Sequence, residues 1–162
     1  MNKLHLICGL PGAGKTTLSK QLEAKEKAFR FCPDDWIKAI IKDPNDKEEL
    51  DRLRDPVEQL QWTLAQRLID LNVDVILENG FWSREERLKY CENAKRLGTQ
   101  VIVHFLSVSK QELWKRIEKR NADPNNDSFC VSKELLEESF KCFTPPNEME
   151  AKSYNEYIEY KS

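Results

Sequence analysis

Apolar residues come along this chain in short bursts, set apart by stretches with either a two-residue or a helical period. Leu4, Leu6 and Ile7 make residues 1–8 a buried strand, and Thr17, Leu18, Gln21 and Leu22 carry the chain into a helix to about Lys25. The alternation over residues 28–32 predicts a second strand that Pro33 stops, followed by a helix through Trp36, Ile37, Ile40 and Ile41. Residues 43–46, Asp-Pro-Asn-Asp, form a turn cluster, and the charged run 47–54 reads as a solvated helix or loop face. Asp55, Pro56 and Glu58 have the cap, first-position and capping-box places of a new helix, whose apolar face is Leu60, Leu64, Ala65, Leu68 and Ile69.

Residues 73–77, VDVIL, are a continuous apolar third strand with Glu78, Asn79 and Gly80 following its end. Ser83 to Glu86 is a capping box opening a helix through Leu88, Cys91, Ala94 and Leu97 that Gly98 closes. Residues 101–106 are a fourth strand, and Ser109 caps a helix with Leu113, Trp114 and Ile117 on one side and Lys115, Arg116, Lys119 and Arg120 as its basic residues. A turn-rich loop at 121–128 leads to a helix starting at Ser132, Pro145-Pro146 breaks the chain, and a short fifth strand is expected near 157–160.

Strands alternating with helices predict a three-layer α/β fold with a mostly parallel five-stranded sheet, in a single domain over 1–162. Ligands of such sheets lie beyond the carboxyl ends of the strands. That edge gathers the loop after strand one, Asp34 and Asp35, Glu78 and Asn79, and residues 107–109.

The first of these loops carries the most specific chemistry. Residues 9–16, GLPGAGKT, match G-x-x-x-x-G-K-[ST], the phosphate-binding P-loop, between a strand and a helix. Gly9, Gly12 and Gly14 leave room for backbone N–H groups to wrap a polyphosphate. Ala13 and Thr17 complete the nucleotide-contacting segment, Lys15 faces the β and γ oxygens, and the Thr16 hydroxyl is a Mg²⁺ ligand. The helix N-terminus adds its positive dipole end.

Composition narrows the partners. Charged residues are 33% of the chain, but 26 basic and 28 acidic side chains leave a net charge of −2, so no global basic field recruits nucleic acid. No apolar run suits a membrane span and the start lacks a signal-peptide core, which predicts a cytoplasmic protein. Five scattered cysteines without a C-x-x-C indicate neither a disulfide framework nor a zinc site. His5 and His104 fall within strands and read as packed, hydrogen-bonded core residues.

GLPGAGKTT, PDDW at 33–36, VILENGFWSREER at 75–87, LWKRIEKRN at 113–121 and FTPPNEME at 143–150 together resemble the small AAA-type P-loop kinases. These are relatives of polynucleotide 5′-kinase, chloramphenicol phosphotransferase and zeta-toxin-like kinases, and the resemblance spans nearly the whole chain. It implies a P-loop NTPase fold with a helical lid at about 116–140, and transfer of the ATP γ-phosphoryl group to an acceptor hydroxyl with Mg²⁺. It also implies that Asp34 receives the hydroxyl proton and that Arg116 and Arg120 contact the phosphates. Polynucleotide kinases place an acceptor-gripping arginine three residues beyond that Asp, where this chain has Ile37.

Each of these residues has a plainer role beside the functional one. Asp34 and Asp35 are also placed to cap their helix, with Asp35 alternatively a ligand to a Mg²⁺-bound water. Arg116 and Arg120 also suit a solvated basic face. Glu78 either holds Mg²⁺ through water or pairs with Arg84 or Arg87. Trp36, Phe81 and Trp82 either line an acceptor pocket or join the core, whereas Trp62 and Trp114 read as core. The expected function is an ATP-dependent phosphotransferase acting on a small-molecule hydroxyl of antibiotic, sugar or nucleoside type. The alternatives are a polynucleotide 5′-hydroxyl kinase and, from another class, an ATP-binding switch with slow hydrolysis.

Overall fold

The computed structural model describes all residues, 1–162. Five strands, β1 (Lys3–Cys8), β2 (Phe29–Phe31), β3 (Val75–Gly80), β4 (Gln100–Ser107) and β5 (Glu156–Lys161), form one sheet in the order β2-β3-β1-β4-β5. Every pairing is parallel, including β5 on β4. The sheet expected to be mostly parallel is therefore wholly so.

Alternate side chains of the central strands feed two cores. Leu4, Leu6, Leu77 and Val103 pack on one face with Ala65 and Ile69 of α3 (Lys47–Asp70) and Cys91 and Ala94 of α4 (Arg84–Arg96). Ile7, Ile76 and Leu106 pack on the other with Leu22 of α1 (Lys15–Glu26), Leu113 and Ile117 of α5 (Lys110–Ala122) and Leu136 of α6 (Lys133–Cys142). Burial on both faces explains why these strands are nearly continuous apolar runs. No helix is long and apolar enough to cross a membrane.

The expected caps at Ser83, Ser109 and Ser132 form, each hydroxyl accepting a backbone N–H from the third residue beyond. Three local expectations are corrected, and one short element was not anticipated. The charged run and the segment after Pro56 are one helix, α3, which Asp46 caps by accepting the Glu49 N–H at 3.0 Å. Pro56 removes a single ladder bond, while Val57, Gln61, Ala65 and Ile69 give the helix a continuous buried side, so burial outweighs the break. Pro33 is the first residue of α2 (Pro33–Ile40), and neither Asp34 nor Asp35 caps it, since the N-cap residue is Cys32 without a side-chain bond. Glu78, Asn79 and Gly80 lie within β3, and the short α7 (Glu148–Ala151), capped by Asn147, had no clear apolar period to announce it.

Candidate active site

The glycine loop between β1 and α1 needs its glycines where the chain turns against neighbours. Gly12 has φ +82°, and a Cβ there would stand 2.9 Å from Ile117 Cγ1. Gly14, at φ +98°, is the left-handed N-cap of α1, which has no side-chain cap and so leaves its first N–H groups facing the loop. Gly9 N–H donates to the Gly80 carbonyl at 2.9 Å, tying the loop to the end of β3. Ala13 is buried within this turn. The Lys15 ammonium donates to the Leu10 carbonyl at 3.0 Å. Burial lowers its pKa, and the carboxylates of Asp34 and Glu78 pull it back up.

Glu78 binds the loop rather than Arg84 or Arg87. Its carboxylate accepts from the Thr16 hydroxyl, from Ser19 Oγ at 2.5 Å and from Arg30 Nη1 at 2.8 Å. Arg87 is fully buried and donates through Nε and Nη2 to Glu150 at 2.6 and 3.0 Å, and through Nη1 to the Phe81 carbonyl at 2.8 Å. Phe81 is itself buried and left-handed, at φ +50°. That aromatic therefore belongs to the core. Trp36 packs edge-on against Phe31 at 5.9 Å, and Trp82 is half-buried against the second core. Trp62 and Trp114 are likewise only partly buried, each packed against a core.

Asp34, in the first turn of α2, is half exposed and accepts from Arg54 Nη2 at 2.8 Å. Asp35 accepts from Arg30 Nη2 at 2.8 Å. Arg120, near the end of α5, donates to the Phe129 carbonyl at 3.5 Å, while its buried Nε has no protein acceptor. Burial lowers the Arg120 pKa and Asp34 opposes that shift, so one carboxylate acts on both Lys15 and Arg120. The loop beyond α5 also meets α2: Lys38 lies 3.5 Å from Asp127 and 5.6 Å from the centre of the Phe129 ring.

The structure thus brings Lys15, Thr16, Asp34 and Arg120 into one neighbourhood. Arg116, one turn before Arg120 on α5, lines the same cleft, and its guanidinium bonds Glu112 through Nε at 2.8 Å and Ser162 Oγ through Nη2 at 3.1 Å. Arg30, Ser19 and Arg54 were missed. Ser19 stands one helical turn past Thr16, which was a usable signal; nothing local distinguished Arg30 or Arg54 from solvated charge.

The residues fit a nucleotide and its metal. A glycine-lined turn, an uncapped helix start, a lysine inside the loop and an orphaned guanidinium N–H are donors that phosphate oxygens would satisfy. Thr16 and Glu78 would hold Mg²⁺, the first directly and the second through water.

The fold that carries this site has known relatives. The family model described as AAA domain matches residues 4–146. An adenylate kinase of Campylobacter fetus subsp. fetus (strain 82-40) is 27% identical over 144 residues, covering 80% of this chain and 74% of the relative. A candidate kinase from Chloroflexus aurantiacus superposes with a TM-score of 0.80 at 19% identity, over 99% of this chain and 88% of that one. Kti12 of Chaetomium thermophilum, solved in complex with ADP-AlF3, gives 0.72 at 19% identity, over 98% and 88%. The chain belongs to the AAA domain family and has a P-loop kinase fold.

Proposed function

We propose that the protein is an ATP-dependent phosphotransferase that moves the γ-phosphoryl group to a hydroxyl of a small-molecule acceptor. The observation that carries this reading is the half-exposed Asp34 carboxylate at the start of α2, held by Arg54 at 2.8 Å and acting electrostatically on both Lys15 and Arg120. Phosphoryl transfer asks little covalent chemistry of a protein; it needs charge neutralisation, an aligned nucleophile and exclusion of water. Lys15 and Arg120 supply cations to the phosphates. Arg54 occupies Oδ1 of Asp34, which leaves Oδ2 to accept the acceptor's hydroxyl proton. Residues 116–140 act as the lid, resting on α2 through Lys38. Mg²⁺ held by Thr16, with Glu78 behind it through water, would neutralise phosphate charge.

The walls beside the acceptor edge favour a small compound over a polyanion. Asp55, Glu58, Glu85 and Glu86, with Lys89 as the single cation, line a cleft of about 360 Å³ between α3 and α4, the former helix being the one that carries Arg54. Burial pushes Glu58 up to about 7 against the pull of Arg54. A phosphate chain would meet these carboxylates at the rim. A second reading, a polynucleotide 5′-hydroxyl kinase, gains from Arg54, which restores in space an arginine beside Asp34 that position 37 lacks. Incubation with radiolabelled ATP, Mg²⁺ and a panel of sugars, nucleosides, hydroxylated antibiotics and a 5′-hydroxyl oligonucleotide tests both. Label on a small hydroxyl compound supports the first; label confined to the oligonucleotide supports the second; release solely as inorganic phosphate contradicts both and favours the switch.

A further inference from the structure

Lys38 follows Asp34 by four residues on α2, so the two share one side of that helix with Cβ atoms about 5–6 Å apart. The Lys38 side chain is 24% exposed and reaches the loop beyond α5. There its ammonium lies over the Phe129 ring, 5.6 Å from the centre, and 3.5 Å from Asp127 Oδ2. That separation is longer than a charge-assisted hydrogen bond, and Asp127 is 96% exposed, so water screens the pair. The two carboxylates of α2 are occupied by other cations: Arg54 holds Oδ1 of Asp34 and Arg30 holds Asp35, each at 2.8 Å. The segment carrying Phe129 is tied to the end of α5, where Arg120 donates to the Phe129 carbonyl at 3.5 Å and Asn121 to the Val131 carbonyl at 2.8 Å. An ammonium is thus set against an aromatic face, one helical turn from Asp34, with only a loose and solvated counter-charge.

We propose that Lys38 is a specificity residue that takes a single anionic group of the acceptor, a carboxylate or a phosphate monoester, and that Asp127 fills this place while the acceptor is absent. The proposal rests on the reading of Asp34 as the group that receives the acceptor's hydroxyl proton. An ammonium on a flexible stem can keep its contact with the Phe129 ring while exchanging one oxygen anion for another. The loop gives Asp127 up without unfolding, because its turns are held by Asp123 Oδ1 on the Asn125 N–H and by Asn126 on both the N–H and the carbonyl of Ser128. A ligand anion bonded directly to Lys38 gains more than the screened Asp127 contact gives. One such group suits the surroundings and a chain of them does not, since the cleft beyond Arg54 is lined chiefly by carboxylates.

The test is calorimetric titration of two sets of probes: glucose with glucuronate and glucose 6-phosphate, and glycerol with glycerate and glycerol 3-phosphate. The protein is first saturated with Mg²⁺ and a non-hydrolysable ATP analogue, so that Lys15 and Arg120 are already engaged. In wild type an anionic member of at least one set should bind about 10-fold or more tightly than its neutral parent. Lys38→Met should bring that member within about 3-fold of the parent, whereas Lys38→Arg should keep the preference. If Lys38→Met is too unstable to assay, Lys38→Gln replaces it with the same expected loss. Asp127→Asn should raise the affinity of the anionic member about 3-fold or more and leave the neutral parent unchanged, the opposite of losing a simple lid contact. A preference confined to glucuronate and glycerate assigns a carboxylate, and one confined to the two phosphates assigns a phosphate monoester. No anionic preference in wild type, or one that survives Lys38→Met, overturns the proposal, as does unchanged or weaker anion binding by Asp127→Asn. A preference lost in Lys38→Met, with no label passed from radiolabelled ATP to the preferred compound, keeps the anion seat and strikes the phosphotransferase reading instead.

Discussion

Arg54, in the middle of α3, reaches back to α2 and places Nη2 2.8 Å from Oδ1 of Asp34. The two residues are twenty positions apart and belong to helices whose contact no local sequence pattern announces. Through this pair a segment that reads as solvated charge becomes part of the surroundings of Asp34.

Arg54→Met should therefore lower the rate of γ-phosphoryl transfer about 10-fold or more with little change in nucleotide affinity, because the lost bond orients a nucleophile-binding group. In an Asp34→Asn background the same substitution should add little. Equal losses in both backgrounds, measured as single-turnover loss of the γ-phosphoryl group from radiolabelled ATP, would separate Arg54 from Asp34.

The two arginines of α5 should separate. Arg120→Ala removes a buried guanidinium acted on by Asp34, and is expected to reduce kcat by about 100-fold with KM for ATP within about 3-fold. Arg116→Ala, whose side chain is held by Glu112 and Ser162, should stay within about 3-fold of wild type. Steady-state kinetics of both variants decide it, and equal losses would place Arg116 in the site too.

Much of the fold was legible because the strands are continuous apolar runs and four of the helices announce their caps through Ser or a glycine turn. Two features hid α3. The Asp55-Pro56 pair imitates a helix start, and the buried side of Val57, Gln61, Ala65 and Ile69 includes a glutamine that breaks the apolar count. The P-loop was readable from spacing alone because its chemistry is local. The carboxylate partners were not: Glu78 meets Thr16 and Arg30 across strand ends 62 and 48 positions apart, which only the strand order fixes.

The NGFWSREER segment has a structural use. Arg87 and Glu150, both fully buried, pin the left-handed Phe81 carbonyl, and the Tyr154 hydroxyl donates to the same carboxylate. Arg87→Met should cost about 3–5 kcal/mol by leaving Glu150 buried without a counter-charge, seen as a shifted urea midpoint. The double variant Arg87→Met with Glu150→Leu should recover part of that loss. A single variant as stable as wild type would contradict the clamp.

Acid sensitivity should come from the core. His5 Nδ1 lies 2.9 Å from His104 Nε2, whose ring bonds Tyr160 OH at 3.0 Å, a chain that needs a proton-accepting nitrogen at the shared contact. Burial lowers both histidines, His104 to about 4 from 6.5. Between those values the unfolded chain holds more protons than the folded one, so stability rises with pH from about 4 to 6.5 and is flat beyond for this group. The contribution is on the order of 3 kcal/mol. Urea unfolding of wild type and His104→Gln across this window should show the wild-type slope reduced in the variant; identical slopes would contradict it.

On the proposed reading Asp34 orients the nucleophile for phosphoryl transfer from a nucleotide held by the P-loop. The most direct measurement is single-turnover loss of the γ-phosphoryl group from radiolabelled MgATP by Asp34→Asn, beside calorimetric titration of MgADP. The rate should fall about 100-fold or more with MgADP affinity within about 3-fold of wild type. An unchanged rate, or loss of rate and affinity together, would contradict it.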